Sequence, residues 1–184
     1  MSALPSSGAT IADLLALVPR GSAGFATEVG GWVLIGEVPE LPVGWAFRTI
    51  AAQIPRAVRG PGGLIEAVLD PSWAAFVLKK RPGNGFAETI FLGRSTSNDV
   101  CLPHASVSKL HARVRIVPEG ATLEDAGSSN GTVMNGDVVI PGIEVPLGSG
   151  DHLRFGAVML QAFDPRRLFS VLERYMPSRK EPRL

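Results

Sequence analysis

Val107-Ser108-Lys109-Leu110-His111-Ala112-Arg113-Val114-Arg115-Ile116-Val117 decides how the chain is read. From His111 the run alternates strictly, with Ala112, Val114 and Ile116 on one side and His111, Arg113 and Arg115 on the other. Successive side chains of a strand point to opposite faces, so this period predicts a strand with one face in a core and the other in water. Outward from it, short runs rich in β-formers are separated by Gly, Asn, Asp and Ser clusters. Upstream, Trp73–Lys79 and Glu88–Leu92 read as strands joined by the turn Arg81-Pro82-Gly83-Asn84-Gly85. Downstream come Thr122–Glu124, Thr132–Met134, Val138–Ile140, Ile143–Val145, His152–Phe155 and Val158–Phe163, with Asn135-Gly136 as a hairpin turn that accepts positive φ. Many short strands at this spacing predict a mainly β protein built as an antiparallel sandwich.

The flanks read differently. Asp164 and Pro165 open a helix with Leu168, Val171, Leu172 and Tyr175 on one side. Near the amino terminus, residues 10–18 suit a short helix with Thr10 as N-cap, Asp13 three positions on, and Pro19 as its stop. Gly24–Thr27 and Trp32–Ile35 around Gly30-Gly31 suggest a hairpin, and residues 49–70 show a mixed apolar pattern broken by Pro55 and by Gly60-Pro61-Gly62-Gly63. The expected organisation is an accessory region over 1–72, a sandwich over 73–163, and a C-terminal helix with a basic tail over 164–184.

Composition bounds the function. The 184 residues are 45% hydrophobic and 19% charged with net charge +1, which excludes a wholly disordered chain and is too nearly neutral for a typical phosphate-backbone binder. No nucleic-acid partner is expected. Six basic against two acidic residues fall in 165–184, and this tail reads as a solvated helix face ahead of an acidic-partner patch or a lipid contact. One cysteine, Cys101, cannot form an internal disulfide or supply a thiolate cluster for zinc. No run approaches the ~18 apolar residues needed to span a bilayer, and the amino terminus lacks a secretory pattern, so a cytoplasmic protein is expected.

Catalytic signatures are missing: there is no G-x-x-x-x-G-K-[ST], G-x-G-x-x-G, H-E-x-x-H or G-x-S-x-G. Ser108, His111 and Asp125 are types that could make a nucleophilic relay, but their strand-and-loop placement does not predict that geometry. No enzyme, cofactor or metal site is expected.

Between residues 91 and 156 a set of blocks falls in order: Gly93-Arg94-Ser95, Asn98-Asp99, Ser108-Lys109-Leu110-His111, Leu123-Glu124-Asp125, Ser128-Ser129-Asn130-Gly131-Thr132, Asn135-Gly136 and Gly150-Asp151-x-Leu-x-Phe-Gly156. In order and spacing this resembles the forkhead-associated (FHA) domain, of the small bacterial type. The resemblance implies an antiparallel β-sandwich of about eleven strands whose loops at one end bind phosphothreonine peptides. It further implies an adaptor whose partner is a phosphothreonine-containing protein, a serine/threonine kinase or its substrate. The alternative is a phosphate-independent interaction protein using residues 1–72 or the C-terminal helix, as in a secretion-system or scaffold component.

The chemistry suits a phosphothreonine, which near pH 7 carries close to two negative charges and three strong acceptor oxygens. Arg94 is a permanently charged planar fork beside Gly93, placed where the chain turns out of a strand. By resemblance, Ser108 is a phosphate ligand and Lys109 an auxiliary charge. His111 braces the binding loops rather than touching the ligand. Asn130 holds the bound peptide's main chain with an amide that both donates and accepts. Ser129 adds a contact near the phosphothreonine, and Gly131 permits the tight turn.

Overall fold

Thr10 and Asp13 fix where the chain enters the fold. In the computed structural model, which describes residues 8–38, 73–86 and 88–175, the Thr10 hydroxyl accepts the Asp13 N–H and the Asp13 carboxylate accepts the Thr10 N–H at 2.8 Å. This reciprocal capping box starts α1 (Ile11–Leu15) directly after the short strand β1 (Ala9–Thr10). A 3₁₀ turn at Val18–Arg20 leads into α2 (Gly21–Val29), and β2 (Val33–Gly36) follows.

The expected hairpin is therefore corrected: Gly24–Thr27 belongs to α2. Phe25 and Val29, four apart, are both fully buried, and Gly30 at φ 68° is the left-handed cap that ends the helix. Residues 49–70 lie outside the described residues, as do Arg179, Lys180 and Arg183 of the tail.

The remaining elements are β3 (Ala74–Val77), β4 (Thr89–Gly93), β5 (Val100–Cys101), β6 (Ala112–Val117), β7 (Gly120–Asp125), β8 (Thr132–Met134), β9 (Asp137–Val138), β10 (Val145–Leu147), β11 (His152–Phe155), β12 (Val158–Phe163) and α3 (Pro165–Tyr175). They form a seven-stranded sheet in the order β1-β3-β2-β12-β11-β8-β9 and a five-stranded sheet in the order β10-β7-β6-β4-β5. Neighbours pair antiparallel except β4 and β5, which run parallel. The fold class read from the sequence is thus the observed one, a mainly β sandwich with a C-terminal helix.

Alternation sorts the side chains. Between the sheets lie Leu34, Phe76, Leu92, Ala112, Val114, Leu123, Leu153, Phe155 and Leu160. The other face of β2, β3 and β12 presents Val33, Ile35, Ala75, Val77 and Phe163, which pack with Ile11, Leu14 and Val18, with Phe25 and Val29 of α2, and with Leu168, Val171 and Leu172 of α3. The helices thus cover the outer face of the larger sheet, and each large aliphatic chain taken from water contributes about 1.5–3 kcal/mol. α3 begins as read, with Asp164 accepting the N–H groups of Arg166 and Arg167 at 2.8 and 3.0 Å.

Strand β2, from the first 72 residues, lies inside the sheet: Ile35 faces Ala75 on one side and Gln161 on the other. All four of its residues are buried.

Register also gathers the loops. Leu92 faces Ala112 and Ala112 faces Asp125 in one sheet, while Phe155 faces Thr132 and Val158 in the other. The segments 94–99, 102–111, 126–131 and 156–157 consequently emerge at the same end of the sandwich.

Candidate functional site

The site begins at Gly93, the last residue of β4. A Cβ there would sit 2.3 Å from the Lys109 carbonyl oxygen and 2.9 Å from the Leu110 Cα, so glycine is required by close approach rather than by an unusual φ. Because the strands come this close, the Arg94 N–H donates to the Ser108 carbonyl at 2.8 Å and the Ser95 N–H to the Lys109 carbonyl at 3.2 Å. Asn98, itself buried, clamps the same pair of loops through its amide, which donates to the Ser95 and Lys109 carbonyls.

Arg94 is exposed, and its Nε donates to the Val107 carbonyl at 3.1 Å, which fixes the guanidinium along the 106–108 strip. Among the described residues the ion pairs are Arg20–Glu28, Arg113–Glu124 and Arg115–Glu144, so Arg94 and Lys109 are in none of them. A fork held by one nitrogen and unneutralised by any carboxylate is the arrangement an anion needs.

The opposite wall is the 126–131 loop. The Ser129 N–H donates to the Ser108 Oγ at 3.0 Å, and the Ser108 hydroxyl reaches the Ser129 Oγ at 3.5 Å. The Asn130 Nδ2 donates to the Ser106 carbonyl at 2.8 Å. Gly131 takes φ 73° in open space, so here backbone conformation, not crowding, calls for glycine. The structure therefore brings Arg94, Ser108, Ser129 and Asn130 together along residues 106–108. Lys109 borders them with its side chain in solvent.

Two buried groups hold the loops from beneath. Asp125, fully buried, accepts the Gly127 N–H at 2.9 Å, the Ser128 N–H and hydroxyl at 2.7 Å each, and the Thr132 hydroxyl at 2.6 Å. Burial alone would raise its pKa, but the bonds from Thr132 and Ser128, helped by His111, hold it below the ordinary value. Alternation predicts His111 on the polar face of its strand. It instead precedes β6, is fully buried, and packs edge-on to Phe155 with ring centres 5.6 Å apart. Its Nδ1 accepts the Ser108 N–H at 3.0 Å, so Nε2 carries the proton and donates to the Gly131 carbonyl at 3.2 Å. Burial lowers its pKa, opposed by the Gly131 bond and Asp125. This neutral imidazole ties one wall to the other, and it bonds the backbone of Ser108 rather than its hydroxyl, so the three residues do not form a nucleophilic relay.

Nothing in the sequence marks His104 and Ser106 as part of the site. His104 is buried, its Nδ1 lies 2.7 Å from the Ser106 hydroxyl, and the same hydroxyl accepts the Ala157 N–H at 2.8 Å. Neither residue has a chemical type that marks it in a loop; their importance follows from which turns pack against them.

The matching region is bounded by the same elements. Residues 90–156 match the FHA domain family model. An FHA domain-containing protein of Arabidopsis thaliana is 34% identical over 80 residues, which are 43% of this chain and 20% of that protein. The chain thus spans about a fifth of that relative's length. Among solved structures, the FHA domain of FhaA in complex with the intracellular domain of a second protein is 27% identical, over 48% of this chain and 86% of that one, with a TM-score of 0.40. The FHA domain of an Arabidopsis thaliana protein is 31% identical, over 41% of this chain and 65% of that one, with a TM-score of 0.39. The matched residues contain Gly93, Arg94, Ser108, Lys109, His111 and Ser129–Gly131. Among the described residues of the whole chain there is no cluster of potential metal ligands and no helix long and apolar enough to cross a membrane.

Proposed function

We propose that the FHA region reads phosphothreonine in a partner protein. The observation that carries this is the guanidinium of Arg94, outside every ion pair among the described residues and held at Nε by the carbonyl of Val107, next in sequence to Ser108, whose hydroxyl accepts the Ser129 N–H. A phosphate dianion offers acceptors for that fork and for the hydroxyls, and Lys109 adds positive charge at the rim. Asn130 then engages the partner's main chain next to the modified residue. The match of residues 90–156 to the FHA domain family model supports an adaptor role. The expected partner is a protein of a serine/threonine-kinase pathway, and the chain serves as a binding module rather than an enzyme.

Titration of the protein with an oriented peptide set in phosphothreonine, phosphoserine and unmodified forms tests this. The phosphothreonine form should bind and the unmodified form should not. Arg94→Ala removes two charge-assisted bonds and should weaken binding roughly 100-fold. Binding that ignores the phosphate, or that survives Arg94→Ala unchanged, would overturn the reading and direct attention to the N-terminal elements as the interface.

A further inference from the structure

The Asn130 amide is not free to turn. The Ser106 carbonyl can only accept, so the nitrogen of the Asn130 side chain, not its oxygen, faces it across 2.8 Å. That leaves Oδ1 and one N–H directed elsewhere, which is the pair an extended main chain needs in order to donate once and accept once. What fixes the Ser106 carbonyl is therefore as important as Asn130 itself.

Three contacts fix it. The Ser106 hydroxyl donates to the His104 Nδ1 at 2.7 Å and accepts the Ala157 N–H at 2.8 Å, while the Ser106 N–H reaches the same Nδ1 at 3.2 Å. On the remaining side the β11–β12 turn presses against the residue: a Cβ on Gly156 would stand 2.4 Å from the Ser106 carbonyl oxygen and 2.6 Å from its hydroxyl. The turn itself is bonded to the Asn130 loop, because the Gly156 N–H donates to the Gly131 carbonyl at 3.2 Å. Two loops and a buried imidazole thus converge on Ser106.

We propose that Ser106 is a positioning residue for peptide recognition. Locked by His104 and the β11–β12 turn, it holds the Asn130 amide in the orientation that grips a ligand's main chain. His104 acts through Ser106. The inference rests on the phosphothreonine reading of the same site and assigns within it a function to residues outside the phosphate-contacting set.

A double-mutant cycle tests it, with Ser106→Ala, Asn130→Ala and the pair measured against one phosphothreonine peptide and folding checked by thermal melting. Ser106→Ala removes the hydroxyl that anchors the carbonyl and should weaken binding roughly three- to tenfold in the parent protein. In the Asn130→Ala background it should change binding by less than about 1.5-fold, because the amide it positions is gone. His104→Ala, acting from the far end of the chain of bonds, should show the same dependence on Asn130. Equal losses in both backgrounds would mean a general structural effect and would overturn the proposal, as would no loss in the parent. If the parent protein binds no phosphopeptide, the phosphothreonine reading fails first and takes this proposal with it. A parent that binds, with additive mutants, sinks the positioning role and leaves the phosphothreonine reading standing.

Discussion

Gly93→Ala is the substitution whose consequence the structure specifies most closely. The new methyl would lie 2.3 Å from the Lys109 carbonyl oxygen, 2.8 Å from the Asn98 Nδ2 and 2.9 Å from the Leu110 Cα. A comfortable carbon–oxygen contact is about 3.3 Å, so the 108–110 segment must retreat by about 1 Å. That retreat stretches the two backbone bonds across the gap, Arg94 N–H to Ser108 at 2.8 Å and Ser95 N–H to Lys109 at 3.2 Å, past useful length. Two such bonds at about 0.5–1.5 kcal/mol each, with an overpacking cost of about 1–3 kcal/mol, give a loss of about 2–6 kcal/mol. For a chain of this size, at about 2–4 °C per kcal/mol, that is a fall in melting temperature of roughly 4–24 °C. Differential scanning calorimetry measures it, and phosphopeptide affinity should drop in parallel because Ser108 moves with the segment. A melting temperature within about 2 °C of the parent, with affinity intact, would show that the loop yields freely and that close approach is not what Gly93 provides.

Asp125→Ala leaves the buried Thr132 hydroxyl without its acceptor, at about 1–3 kcal/mol, and removes the bonds from the Gly127 and Ser128 N–H groups, at about 0.5–1.5 kcal/mol each, so urea unfolding should report a loss of about 2–6 kcal/mol. Stability should also depend on pH in two windows. His111 and His104 have folded pKa values below the ordinary 6.5, so the unfolded chain takes up protons first; their contribution is complete above about 6.5 and declines as pH falls toward their folded values. Asp125 has a folded pKa below the ordinary 3.8, so its contribution holds above about 3.8 and is lost as pH falls through the folded value. Urea titrations at stepped pH should show both declines, and His111→Gln should flatten part of the upper one.

Much of the fold was legible where its signal is local. The alternation from Ala112 to Val117, the Asn135-Gly136 turn and the Asp164-Pro165 helix start each depend on neighbours in sequence, and each stands where it was read. The candidate site residues Arg94, Ser108, Ser129 and Asn130 are picked out by the resemblance of the ordered blocks to a known family, and the structure brings them to one end of the sandwich. What the sequence concealed depends on distant partners. Gly30-Gly31 looks like a hairpin turn until Phe25 and Val29 are seen buried under α3. His111 departs from the alternating pattern because its ring satisfies two backbone groups from different loops. Ser106 acquires a role through Ala157, more than fifty residues away in a turn that carries no motif of its own.

The position of β2 bears on how the chain is assembled during synthesis. Val33–Gly36 leaves the ribosome well before β12, the strand that closes its second edge. Until then the nascent polypeptide carries an apolar strand with an open hydrogen-bonding edge, a known template for wrong pairing. The same arrangement means that a fragment cut to residues 90–156 or to 73–163 lacks an interior strand of the larger sheet. The longer fragment keeps β3 and β12 but leaves the place between them open to foreign strands, and the shorter one lacks β3 and β12 as well. Expression of the region that matches the family model is therefore a poor substitute for the longer chain, and aggregation of such fragments would report the missing strand rather than a defect in the binding loops.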